Sequence, residues 1–171
     1  MIKYLLKLFF IIGISFTQIS QSAELSNIAF IDIDYLIKNS EIGKKTLKIL
    51  EDKNSENIKI LKEKEKTLKN QENDLQSKKN IISTDEFNNE VKILKIKITE
   101  LRSEKNLLAK NFNDFKNKEL SELLKKYNIV IQEFMNKNSI EIIIDKKNIY
   151  IGKVTSDITN QILDEINNLY K

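Results

Sequence analysis

The chain has 171 residues, 32% of them charged, with three glycines and no proline, cysteine or histidine, a composition that suits a helical rod better than an ordinary globular domain. The missing cysteines exclude disulfides, thiolate metal sites and lipidation through sulfur, and the missing histidines remove the commonest general base and metal ligand. The net charge of +4 is unevenly spread: residues 41–137 carry 22 Lys/Arg against 17 Asp/Glu, whereas the rest after residue 23 carries 5 against 8.

In chain order, residues 1–22 have the layout of a secretory signal peptide. Lys3 and Lys7 form the positive start, Leu8 to Ile14 the apolar stretch, and Ser20-Gln21-Ser22-Ala23 supplies small residues for cleavage. The apolar run is shorter than the ~20 residues of a membrane span, so the mature chain is expected to be exported, most simply to a periplasm. Asn27 to Asp32 reads as a strand with Ile28 and Phe30 on one face, and Asp34 as the cap of a brief helix over Tyr35 to Asn39.

Residues 41–137 hold one glycine, Gly43, and repeat apolar residues every seven. Leu47, Leu61, Leu68, Leu75 and Ile82 share one register, with Leu50 and Ile58 beside them. Phe87, Leu94, Leu101, Leu108 and Phe115 share another, with Val91, Ile98 and Phe112 filling the position four on. Two seams separated by Ser83-Thr84-Asp85-Glu86, which has the form of a capping box, predict an antiparallel coiled-coil hairpin with its tip near residue 83. The outgoing helix is expected over 41–82, and the returning seam continues through Leu120, Leu124, Tyr127, Ile131 and Phe134. With no glycine along the rod, hinging is expected at the junctions near Gly43 and Lys137.

Past the arm, Ile140 to Asp145 reads as a second strand with Ile140, Ile142 and Ile144 on one face. Lys146-Lys147-Asn148 is a tight turn into a third strand, 148–151, and Ser156 or Asp157 caps a last helix whose apolar face is Ile158, Ile162, Leu163, Ile166 and Leu169. Strands on either side of the arm must meet to satisfy their backbones. The expected fold is therefore α+β and mostly helical: a small β-containing oligomerisation body, residues 24–40 and 138–171, with a long protruding antiparallel coiled-coil hairpin arm. A body of about fifty residues is marginal alone, so Ile28, Phe30, Ile140, Ile142 and Ile144 are the expected oligomerisation residues.

Candidate chemistry is sparse. Asp32 and Asp34 could seed a divalent-metal site or an acid/base pair, but strand end plus helix cap explains them more simply. Gly43-Lys44-Lys45 resembles the end of a phosphate loop without its upstream glycine or following hydroxyl. No catalytic residue, metal or cofactor is therefore expected, and no enzyme. Nucleic acid is not an expected partner either, since acids interleave with the arm lysines. Ile93 and Ile96 point off the seam, Ile49 and Ile60 lie on a flank, and Ile81, Ile82 and Phe87 sit at the tip. Together with Lys78, Lys79, Lys92 and Lys95 they are the candidate binding residues of the arm.

The order of these elements resembles the Skp/OmpH family of periplasmic chaperones: the leader, the strand Ile28-Ala29-Phe30-Ile31-Asp32, Ser40-Glu41-Ile42-Gly43-Lys44-Lys45 opening a charged hairpin, the strand Ile140 to Asp145, a short strand through Tyr150 and a closing Asp157-Ile158-Thr159 helix. That resemblance implies a homotrimer whose arms enclose a cavity for unfolded outer-membrane proteins. Lipopolysaccharide or an anionic membrane surface enters as a further partner by the same resemblance. Family arms are basic towards their tips, whereas here residues 69–97 hold six lysines against five acids. The function expected is an ATP-independent holdase that binds unfolded outer-membrane β-barrel proteins. The alternative is an exported coiled-coil spacer or adaptor of the cell envelope.

Overall fold

A computed structural model describes residues 27–170, so the proposed leader lies outside the described residues. Strand β1 (Ile28–Ile31) leads into α1 (Ile33–Asn39), followed by α2 (Glu41–Lys78), α3 (Thr84–Asn138), β2 (Ile142–Asp145), two single 3-10 turns (Lys146–Asn148 and Val154–Ser156) and α4 (Thr159–Leu169). At about 1.5 Å per residue, α2 and α3 run for roughly 57 and 83 Å. Their length comes from the absence of proline and, past Gly43, of glycine, and their pairing from the two apolar rows.

β1 and β2 pair in parallel, with Ile28 opposite Ile142, Ala29 opposite Ile143, Phe30 opposite Ile144 and Ile31 opposite Asp145. The whole hairpin is thus the crossover between two parallel strands, a connection no tight turn can make. Strand alternation sends Ala29, Ile31 and Ile143 into the core and Ile28, Phe30, Ile142 and Ile144 to the other face. The core joins Ala29 and Ile31 to Leu36 of α1, Leu123, Tyr127, Val130 and Ile131 of α3, and Ile158, Ile162 and Ile166 at α4. The root of the returning helix is therefore the largest wall of the body's core.

Several local expectations change. The third strand over 148–151 is absent: Lys146–Asn148 forms a 3-10 turn that Asp145 caps by accepting from the Lys147 N–H, and the chain then bends at Tyr150 and Ile151, which face solvent. β2 begins at Ile142, and Ile140 turns to the core instead of sharing the face of Ile142 and Ile144. Its N–H bonds the Met135 carbonyl at 3.0 Å as α3 ends through Ser139 in the left-handed region, φ 52°. Asp32, not Asp34, caps α1, accepting from the Tyr35 N–H at 2.8 Å.

α2 stops at Lys78, four residues short of the expected 82, because the amides of Ile81 and Ile82 both turn back to the Lys78 carbonyl. Ser83 then caps α3 by accepting from the Glu86 N–H, as the capping-box spacing predicts. Near the body the buried row of α2 is Gly43, Thr46, Leu50 and Asn57, which leaves Leu47 and Ile58 exposed and off the expected seam. At α4, Leu169 is exposed while Ile158, Ile162 and Ile166 are buried, and the cap position is Ile158. Asp157 still accepts the Thr159 N–H at 3.0 Å.

Candidate functional site

Where the arm leaves the body, three helices meet on two hydroxyls. Ser40, fully buried, caps α2 by accepting from the Gly43 N–H at 3.0 Å, and its Oγ lies 2.5 Å from the Tyr127 hydroxyl. Tyr127 donates to the Leu36 carbonyl at 3.2 Å, so one hydroxyl chain ties α1, α2 and α3. A Cβ on Gly43 would collide with the Ile37 carbonyl oxygen and lie 2.8 Å from the Tyr127 hydroxyl. Gly43 thus serves a close approach in a packed joint. Burial pushes the Tyr127 phenol above its ordinary pKa, against the lowering effect of Ser40.

On the body, Asp32, Asp157 and Thr159 form a second polar group. The Asp32 N–H donates to Thr159 Oγ1 at 3.0 Å, Thr159 Oγ1 donates to Asp157, and Lys146 closes the group with an ion pair to Asp157 at 2.8 Å. Burial pushes the Asp157 carboxyl up, but the bonds from Lys146 and Thr159 outweigh it and leave the pKa lowered. This is structural capping: Asp32 holds α1, and among the described residues no group of three or more acids is gathered as a metal site.

The proposed arm residues fall into two sets. Ile49, Ile81, Ile93 and Ile96 are exposed, Ile81 most of all at 79%, and Lys78, Lys79, Lys92 and Lys95 stand in solvent with them. Ile60, Ile82 and Phe87 are half-buried against the seam. The residues are strung along the arm and not gathered at one point. Leu107 and Ile129 are further exposed apolar residues of α3 that the heptad count passed over. Leu107 stands directly beside the seam position Leu108, and Ile129 beside the buried Val130, so adjacent apolar residues on a helix were the available signal, although Val130 and Ile131 are neighbours that are both buried.

The seam is polar along one row. Asn57, Lys64, Gln71 and Lys78 recur every seven residues on α2, and Lys64 bonds Glu104 of α3 at 2.6 Å while Lys97 bonds Gln71 at 3.1 Å. These polar layers keep the leucines behind them only half-covered. Two adjoining grooves of ≈250 and ≈360 Å³ open along this side, sharing Gln71 and Lys97.

On the outer face of the sheet, Ile28 and Ile142 are neighbours in register, 44% and 46% exposed. Ile144 is half-buried, and Phe30 is covered by the loop that follows, where a Cβ on Gly152 would meet the Phe30 ring at 2.8 Å. Of the expected oligomerisation residues, four share this face and Ile140 does not. Tyr150, Ile151 and Val154, which sequence reasoning did not single out as exposed, add large apolar side chains in the adjoining loop. The exposed apolar side chains of the body thus gather on this face and the loop beside it.

The chain is thus a small α/β body carrying one long helical hairpin, with polar clusters that cap helices and exposed apolar residues along the arm and on the outer sheet face. The chain belongs to the OmpH-like family: the family model of Outer membrane protein (OmpH-like) matches residues 27–166. Among solved structures, a Caulobacter crescentus CB15 protein described as an OmpH-like outer membrane chaperone superposes with a TM-score of 0.78 at 19% identity, over 86% of this chain and 87% of that one. No curated protein matches the chain. The structural likeness establishes the shared fold. Among the described residues no helix is long and apolar enough to cross a membrane.

Proposed function

We propose that the protein is a periplasmic chaperone that holds unfolded outer-membrane proteins without ATP and keeps them from aggregating in transit. The observation that carries this reading is the distribution of exposed apolar residues along the arm, Ile49, Ile81, Ile93, Ile96 and Leu107, among charges of both signs. Many weak contacts on a long rod suit clients that have no fixed shape, and binding the unfolded chain lowers its free concentration and so slows aggregation. Membership of the OmpH-like family and the chaperone description of the Caulobacter protein point the same way. The body, residues 24–40 and 138–171, serves assembly, with Ile28, Phe30, Ile142 and Ile144 on the contact face and a homotrimer as the expected state. The arm, residues 41–137, serves capture.

The test is light scattering of a β-barrel outer-membrane protein diluted from urea, with and without the mature chain, while complex mass is followed by sizing. Suppressed scattering with a discrete complex is the expected outcome. Unchanged aggregation in the presence of an intact assembly overturns the reading and favours the envelope spacer, which binds one folded partner at fixed stoichiometry.

A further inference from the structure

The two adjoining grooves run along one side of the hairpin, from Glu86 to Glu104 on α3, a span of about 27 Å at 1.5 Å per residue. That length accommodates about eight residues of extended chain at about 3.3 Å each. Their floor is apolar: Leu68, Leu75 and Ile82 face Leu94 and Leu101 of α3, with Ile93 at the lip. The floor is open because its covering positions, Lys64, Gln71 and Lys78, are polar.

The rim is acidic on an otherwise basic arm. Asp74, Glu86, Glu90, Glu100 and Glu104 stand against Lys64, Lys78 and Lys97, a net of −2 where residues 41–137 as a whole carry +5. Lys64 is already paired to Glu104, and Asp74, Glu86, Glu90 and Glu100 have no ion-pair partner among the described residues. At about 100° per residue, Lys59, Lys62 and Lys66 lie some 140–160° around α2 from Lys64, on the far side. They line a separate shallow surface beside Ile58. The arm therefore has an acidic, grooved side and a basic, outward side.

We propose that this groove is a binding site for extended polypeptide segments in which apolar side chains alternate with Lys or Arg. Alternation places one set of side chains on the leucine floor and the other at the carboxylate rim, which an extended strand does by its period of two. The site rests on the capture reading above and assigns it a place and a preference: one side of the distal arm, selective for cationic segments.

The test uses the intact mature protein and two labelled ten-residue peptides with blocked ends, one alternating Val and Lys, the other Val and Glu, followed by fluorescence anisotropy at low ionic strength. The Val-Lys peptide is expected to bind at least about tenfold tighter, with the preference shrinking in salt as exposed charges are screened. The triple variant Asp74→Asn, Glu86→Gln, Glu90→Gln should bring the two affinities together. Ile93→Asn should weaken the Val-Lys peptide several-fold. Lys59→Gln, Lys62→Gln, Lys66→Gln should leave the ratio unchanged. All seven positions are exposed, so helicity by circular dichroism should not change. Equal binding of the two peptides, a preference that survives the rim triple, or one abolished by the lysine triple instead, overturns the proposal. No aggregating client is present, so the groove fails here independently of the holdase reading: suppressed aggregation without peptide discrimination rejects the groove and leaves capture standing.

Discussion

Gly43 has no room for a methyl group. A Cβ there would run into the Ile37 backbone oxygen, which cannot swing aside as a flexible side chain could. Gly43→Ala should therefore force α2 away from α1 and cost up to about 3 kcal/mol, the upper end for overpacking a tight site. Urea denaturation followed by circular dichroism measures it. The Tyr127 hydroxyl in the same joint has a pKa raised by burial, which fixes the sign of a pH effect. A raised phenol pKa means the folded state holds the proton more tightly. Its contribution is whole below the unfolded value of about 10 and is lost as pH rises through the folded value. Thermal melts above pH 10 should fall more steeply for the wild type than for Tyr127→Phe.

Among the helices and strands, those set by local period were legible and those set by distant contacts were not. The hairpin, its reversal and the closing helix follow from heptad repeats and a cap that act within a few residues. Leu47 and Ile58 were misplaced because the rotation of α2 at its root is set by Gly43 lying against Tyr127, a contact 84 positions away in sequence and invisible to a heptad count. Asp32 and Asp34 were equally good caps by type. The Asp32 N–H bonding to Thr159 at the far end of the chain selects between them. Residues 148–151 have strand composition, but Asn148 is drawn into the 3-10 turn that Asp145 caps and the chain bends at Tyr150 and Ile151, so they form a loop beside the two-stranded sheet. The candidate groove was hidden for a related reason: Lys64, Gln71 and Lys78 sit in the heptad as gaps, and gaps carry no apolar signal.

The cap at the tip belongs to this scale. Ser83 accepts the Glu86 N–H at 3.3 Å and is the only side chain bonded to the first turn of α3 among the described residues. Ser83→Ala should cost about 1 kcal/mol. The loss should stay local, since the tip is far from the core: amide exchange over 84–90 should quicken while Leu123 to Ile131 keep their protection.

At the scale of the whole molecule, acid should loosen the body before the arm. Asp157 has a pKa lowered in sum by Lys146 and Thr159, so its contribution is present above the ordinary carboxylate value near 4 and is lost as pH falls through the lower folded value. Asp157 links α4 to the loop after β2, whereas the arm's ion pairs are exposed contacts between long side chains and contribute little. Below pH 4, amide exchange should accelerate in α4 ahead of α2, and Asp157→Asn should remove that difference.

The outer sheet face decides whether the arms work singly or together. Ile28 and Ile142 are cross-strand neighbours that point away from Ala29, Ile31 and Ile143, so charging them disturbs no core contact. If this face joins copies of the chain, Ile28→Lys with Ile142→Lys places six ammoniums at the centre of a trimer and should yield a folded monomer by multi-angle light scattering, with far-UV circular dichroism unchanged. Capture should then fall much further than the loss of contact area suggests, because one arm binds each client site only at its own weak affinity while linked arms bind at a high effective concentration. A monomer that still suppresses aggregation would assign capture to the single arm. An assembly that survives both lysines would move the contact to the loop bearing Tyr150, Ile151 and Val154.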